Sequence, residues 1–293
     1  MVIPAGEGVT RGSGRRALER ATPLVRIRPR VSLSWGEFGE LWACRELLVI
    51  LTLRDIRVRY KQAAIGVVWV AIQPLLTVFV FTLIFGRLAR FPSGEIPYPL
   101  FAFAGLLSWT YFSQALGRCA ASFIDDSHLV SKVYFPRLIL PLAATFNPLA
   151  DFAVATVVLL AVMFGFGVAP TYRVLALPLV LLLEILTVLA FGLWLAAANV
   201  HYRDVGHALP FFLQVWMYAS PVAYPVDVVP ARWQTLYCLN PMVGLISGFR
   251  WCLLGTPGVN FTQVVPSVVA VLMILAGGFV LLRKSEETLV DVL

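Results

Sequence analysis

Four basic residues in one short run, Arg54, Arg57, Arg59 and Lys61 of "LRDIRVRYKQ", are the groups of this chain best suited to chemistry with an anion. Arginine can hold phosphate oxygens through two parallel hydrogen bonds, whereas lysine acts as a point charge. At 100° per residue, Arg54, Arg57 and Lys61 fall on one flank of a helix and Arg59 on the other. Between them runs an apolar face of Trp35, Phe38, Trp42, Val49, Leu53, Ile56 and Tyr60. An apolar stripe with cations on both shoulders suits a helix lying in a membrane surface, its bases reaching to anionic headgroups. Ser34 followed by Glu37 forms a capping box that would start it, so the sequence predicts an amphipathic interfacial helix over 34–62.

The chain that positions this helix is apolar. Hydrophobic residues make up 59% of the 293 and charged residues 13%, against about 45–50% and about 25% in a soluble domain. The mean hydropathy is +0.83. About 20 apolar residues are needed to cross the hydrocarbon core as a helix. The stretches 66–85, 98–116, 138–168, 174–200 and 262–282 meet that requirement, and 208–224 is shorter and interrupted by Pro221. Asn147, Pro148 and Asp151 predict a tilt or kink in the overlong third stretch. The prediction is an all-α polytopic membrane protein with six transmembrane helices over 63–293.

With the N-terminus inside, only Arg87, Arg90, Arg173, Arg232 and Arg250 of the 23 basic residues fall outside. The positive-inside rule therefore places both termini in the cytoplasm. The net charge of +7 reflects topology and gives no sign of nucleic-acid binding. Residues 1–33, rich in Arg, Pro and Gly without an apolar run, read as a flexible basic tail and not as a signal peptide.

Two carboxylates lie inside predicted spans, Asp151 and Glu184. Each costs about 2.5–3.5 kcal/mol at a helix centre on insertion scales, which argues for hydrogen bonding between helices ahead of a proton relay. Trp69, Phe79, Trp109, Tyr111 and Phe112 suit either interfacial belts or rings lining a pore, over which sugars can slide. Residues 221–254 lie outside by topology yet are largely apolar, and 240–254 is too short to cross. A re-entrant hairpin fits both facts, provided protein or a water-filled cavity covers it. It would act as an outer gate carrying Tyr224, Trp233, Asn240, Arg250 and Trp251, or as a static anchor. A Cys238–Cys252 bridge is geometrically possible there, although two small apolar fillers explain the pair as well. No spacing resembles a metal site. The chain has no P-loop, nucleophile elbow or HExxH, so it does not itself bind ATP by a P-loop.

The strings "LRDIRVRYKQAAIGVVWVAIQPLL", "FTLIFGRLA", "KVYFPRLILPLA", "ANVHYRDVGHALPFFLQVWMYASPVAYP" and "LNPMVGLISGFRW" occur in that order. From about Leu47 to the C-terminus the chain resembles the permease subunit of type 2 ABC exporters for polysaccharides, which carry O-antigen, capsule or teichoic acid chains. The resemblance implies a homodimer with two copies of a separate ATPase subunit, which would bind the ATP and magnesium; this chain would need no cofactor. It also implies a substrate carried on a polyprenyl diphosphate lipid and a multi-pass location in the bacterial inner membrane. Residues 125–135 would hold a coupling helix, with Asp125, Asp126, His128, Val130, Tyr134 and Phe135 against the ATPase. The Arg54–Arg57–Lys61 flank would capture the lipid diphosphate, or only anchor to anionic lipid at about 1 kcal/mol per base. Two rival classes are a membrane enzyme acting on polyprenyl-linked sugars and an ATP-independent flippase.

Overall fold

A computed structural model describes residues 36–61, 66–89, 91, 96–132, 135–256 and 261–292. The tail 1–33, the capping residue Ser34, Trp35 and Tyr134 lie outside these. The described residues are helical, with no strand among them. In chain order the helices are α1 Gly36–Ala43, α2 Arg45–Lys61, α3 Gly66–Phe81, α4 Tyr98–Asp125, α5 Ser127–Lys132 and α6 Ile139–Phe146. They continue with α7 Leu149–Gly165, α8 Leu177–His201, α9 Asp204–Tyr218, α10 Ala231–Tyr237, α11 Pro241–Leu254 and α12 Phe261–Val292.

Four stretches are long and apolar enough to cross a membrane: Trp69–Leu88, Ile139–Gly165, Tyr172–His201 and Val265–Lys284. These correspond to the first, third, fourth and sixth predicted spans. Helix α4, with 28 residues, is long enough at about 1.5 Å per residue. It carries Ser108, Thr110, Ser113, Gln114 and Arg118, which dilute its apolar character. Helix α9 has only 15 residues, about 22 Å at that rise, short of a hydrocarbon core of about 30 Å. Where a tilt or kink was expected, α6 ends at Phe146 and α7 begins at Leu149, a break at Asn147–Pro148, where proline has no N–H to give and its ring crowds the preceding turn.

Helix α4 is the centre of the fold, packed against α3, α6, α7, α8, α9 and α11. Of its polar residues Ser108 is buried and donates to Glu184 of α8, whereas Thr110 is exposed and Ser113, Gln114 and Arg118 are partly buried. Gly192 of α8 lies against Cys119 of α4 with no room for a Cβ, so these two helices approach closely. One buried cluster joins Phe103, Phe112 and Leu116 of α4 to Leu159, Val188 and Phe249. A second joins Leu51 of α2, Phe123, Val130, Phe135 and Ile139 to Leu193 and Val271.

The predicted interfacial helix is divided at Cys44 into α1 and α2. Of the face assigned to the membrane, Trp42, Val49 and Leu53 are exposed, and Ile56 and Tyr60 are partly buried. The opposite side is apolar too: Leu41, Cys44, Leu47, Leu48 and Leu51 pack into the second cluster, with α2 against α6. The helix is thus held to protein on one side and leaves an apolar face free on the other.

Candidate functional site

The basic residues of α2 have unequal surroundings. Arg54 donates through Nε to Asp55 at 2.8 Å and through Nη2 to Asp126 at 2.9 Å, linking α2 to the turn before α5. Arg59 pairs with Asp151 at 2.5 Å, and Tyr60 donates its hydroxyl to the other oxygen of the same carboxylate. Asp151 sits in the first turn of α7, so its role is to fasten the end of α2 to α7. Burial, followed by the hydrogen bond to Asp151, pushes the Tyr60 phenol up to about 12. It therefore remains a donor at any physiological pH. Arg57 and Lys61 are exposed and make no hydrogen bond or ion pair with a described residue.

Two cavities open beside this fastening. The first, about 550 Å³, lies among α3, α4 and α7. Trp69, Pro74, Leu106, Leu107, Tyr111 and Phe152 give it apolar and aromatic walls, Gln73, Thr77, Thr110 and Gln114 add polar groups, and Arg59, Tyr60 and Asp151 stand at its border. The second, about 610 Å³, lies between α4 and α9 and is lined by Trp109, Ser113, Arg118, Asn199, Pro210 and Gln214 among others, together with Arg59 and Gln114. Both volumes are in the range of small-molecule sites, about 300–1,000 Å³.

The aromatic residues singled out by sequence do not share one surface. Trp69 and Tyr111 line the first cavity and Trp109 the second. Phe79 is exposed on α3 and borders neither. Phe112 is fully enclosed, edge-on to Trp216 with ring centres 5.1 Å apart, and Trp216 in turn meets Phe191 at 5.2 Å. That ring cluster is core.

In the segment 125–135, Asp125 and His128 are exposed, and Asp126 holds Arg54. Val130 and Phe135 turn inward into the second core cluster. Lys132 is exposed as well.

The stretch 221–254 forms α10 and α11 after a short irregular passage. Asn240 is its knot. Its side-chain oxygen accepts from the Met242 N–H at 3.1 Å, capping α11, and from the Trp216 indole at 3.0 Å, while its amide donates to Ser220 Oγ at 3.0 Å. Arg250 is buried and donates to the carbonyls of Phe101 at 3.2 Å and Val222 at 2.7 Å, with its guanidinium 3.5 Å from the Phe101 ring centre. A cation without a carboxylate is tolerated there because two carbonyl oxygens and an aromatic face replace water. Trp251 lies under the guanidinium of Arg173, which also donates to Gly255 O at 3.1 Å. Tyr224 donates to Tyr218 O at 2.9 Å and accepts from Tyr237 at 3.0 Å. Trp233 is exposed on α10. Cys238 and Cys252 are buried free thiols. Glu184, buried in α8, accepts from Ser108 of α4 at 2.7 Å, the helix-to-helix bond its position suggested.

Sequence reasoning missed the role of α4 as the wall of both cavities. The signal was present: Thr110, Gln114 and Arg118 recur at i, i+4 and i+8, a polar stripe along an otherwise apolar helix.

The comparisons fit this architecture. The chain belongs to the ABC-2 type transporter family, whose membrane-domain model it matches over residues 46–254. It is 34% identical over 215 residues, 72% of this chain and 81% of the relative, to the O-antigen export system permease protein RfbA of Myxococcus xanthus. The protein of the same name from Klebsiella pneumoniae is 27% identical over 70% of this chain and 79% of its own length. The polysialic acid transport protein KpsM of Escherichia coli is 23% identical over 82% of this chain and 93% of its own.

Proposed function

We propose that this chain is the transmembrane subunit of an ATP-driven exporter that moves a polyprenyl-diphosphate-linked polysaccharide, of O-antigen type, from the bacterial cytoplasm across the inner membrane. The observation that carries this reading is the family match, which runs from α2 to the end of α11 and so takes in the basic run of α2, both cavities and the hairpin. Two relatives named for O-antigen export and one named for polysialic acid transport favour a polymeric sugar.

In this reading α3, α4, α6 with α7, α8, α9 and α12 are six crossings, α9 being completed by the turn that follows it. Both termini are cytoplasmic, and α2 rests on the inner surface with Trp42, Val49 and Leu53 in the headgroup layer. Two copies form the channel. The exposed apolar faces of α3 (Ile72, Leu76, Phe79) and α9 (Phe211, Phe212, Val215) supply surface for lipid and for the second copy. Two separate ATPase subunits bind ATP and magnesium and dock on the polar surface of 125–132. The α10–α11 hairpin closes the outer end.

Co-expression with a candidate ABC ATPase subunit from the same cell tests the assignment. The two proteins should co-purify in equal numbers and hydrolyse ATP, and the permease alone should hydrolyse none. Failure to co-purify, together with polymer export in cells lacking that ATPase, would refute it.

A further inference from the structure

Arg59 lines both cavities, and Tyr60 and Asp151 stand with it at the border of the α3–α4–α7 cavity. The Asp151 carboxylate takes Arg59 on one oxygen and the Tyr60 hydroxyl on the other. A second arginine stands near the same carboxylate. Arg118 lines the α4–α9 cavity together with Arg59, is partly buried, and makes no hydrogen bond or ion pair with any described residue. A guanidinium has five donors, and a partly desolvated one with none engaged is costly. Burial, and then the charge of Arg59, lower Arg118 from the usual guanidinium value. Of the three carboxylates that oppose this, Asp151 acts most strongly, ahead of Asp55 and Asp125. Asp55 already holds Arg54. Asp125 is exposed and lies seven residues along α4, about 10 Å further down the helix axis. Arg59 and Arg118 therefore face one carboxylate, and with α2 docked only Arg59 has it.

We infer that Arg59 and Arg118 exchange on Asp151, so that the last turn of α2 is a releasable strap at the border of the α3–α4–α7 cavity. With the strap docked, Arg59 and Tyr60 hold the carboxylate. When it lifts, they leave with α2, and Arg118 crosses from the α4–α9 cavity to take their place. Arg54 keeps the preceding turn on Asp126, so the movement is confined to the residues beyond it. The exchange has a physical reason. Lifting α2 without it would strand a carboxylate whose side chain is only 11% exposed, which is costly. With it, Asp151 is paired in both positions, and Arg118 gains the partner it lacks when the strap is docked. The exchange needs neither a substrate nor an ATPase, so it stands apart from the exporter reading.

The test measures hydrogen exchange of amides 57–61 in the full-length chain in lipid nanodiscs, with the amides of α8 as the control for folding. Arg118→Gln removes the competitor and should raise protection at 57–61 by about threefold to fivefold, as expected for the loss of one partly exposed ion pair from the lifted state. Arg118→Lys should give a smaller rise, because lysine keeps the charge without the planar fork. Arg59→Lys weakens the docked hold and should lower protection, and adding Arg118→Gln should restore part of it. The deciding comparison is made in Asp151→Ala, where the contested carboxylate is gone: there Arg118→Gln should lose most of its effect. A rise as large in Asp151→Ala as in wild type would show that Arg118 only repels Arg59, and would overturn the exchange. Unchanged protection on Arg118→Gln, both alone and with Arg59→Lys, would overturn it too. If Arg118→Gln disturbs α8, Arg118→Lys with and without Asp151→Ala makes the same comparison, and a rise of equal size in both again overturns the exchange.

Discussion

Removing the Asp151 carboxylate should release the end of α2. In wild type that carboxylate takes the Tyr60 hydroxyl on one oxygen and Arg59 on the other. A hydrogen bond to a charged group contributes about 1.5–3 kcal/mol. The ion pair adds less, because the Arg59 side chain is 35% exposed and such pairs are worth about 0–1 kcal/mol. Water entering the gap returns part of the total, leaving about 2 kcal/mol for Asp151→Ala. At about 1.4 kcal/mol per tenfold change, the population with the last turn of α2 undocked should rise by roughly 30-fold. Hydrogen exchange in lipid nanodiscs reads this directly: amides 57–61 should lose protection by roughly that factor, while amides in α4 and α8 keep theirs. Asp151→Asn, which keeps an acceptor, should fall between. Unchanged protection at 57–61 in Asp151→Ala would show that membrane contact or packing on α6 holds the helix end, and that the Asp151 fastening is incidental.

Three further outcomes follow from named contacts. Single cysteines replacing Ser127 and Arg232, in a background without the native cysteines, should be labelled by an impermeant reagent from opposite sides of the membrane; labelling of both from outside would remove the six-crossing topology. Arg54→Glu and Asp126→Arg should each impair export, and the double variant should recover most of it; no recovery would mean that the 2.9 Å pair does not join α2 to the docking segment. Gly105→Ala places a Cβ 2.7 Å from both Arg250 Nη2 and Val222 O, so it should destabilise the hairpin by about 1–3 kcal/mol as overpacking does. A lowered unfolding temperature in detergent is the check, and wild-type stability would argue that Arg250 is not a rigid clamp.

Much of this architecture was legible because it follows from local chemistry. Pro148 predicts the break between α6 and α7, and apolar length alone finds the stretches that begin near Trp69, Ile139, Tyr172 and Val265. Glu184 in an apolar run predicts a helix-to-helix hydrogen bond. What could not be read depends on which side of a helix meets protein. Helix α2 is apolar on opposite sides, and periodicity cannot say that Leu47, Leu48 and Leu51 pack on α6 while Val49 and Leu53 stay exposed. Val130 and Phe135, which the family resemblance assigns to the ATPase contact, are drawn into the core. Arg250 looks like a loop cation, yet its carbonyl partners lie 28 and 149 residues away. In the sequence Arg118 is one more inside-positive charge, because its cavity exists only once α4 and α9 are side by side.

The most direct measurement uses inverted vesicles containing this chain and its ATPase, supplied with polyprenyl-diphosphate-linked polysaccharide on the outside. Protection of the polymer from an added glycosidase should appear only with both proteins and ATP, and should stop when ATP hydrolysis is blocked. Protection that develops without the ATPase or without ATP would contradict the account.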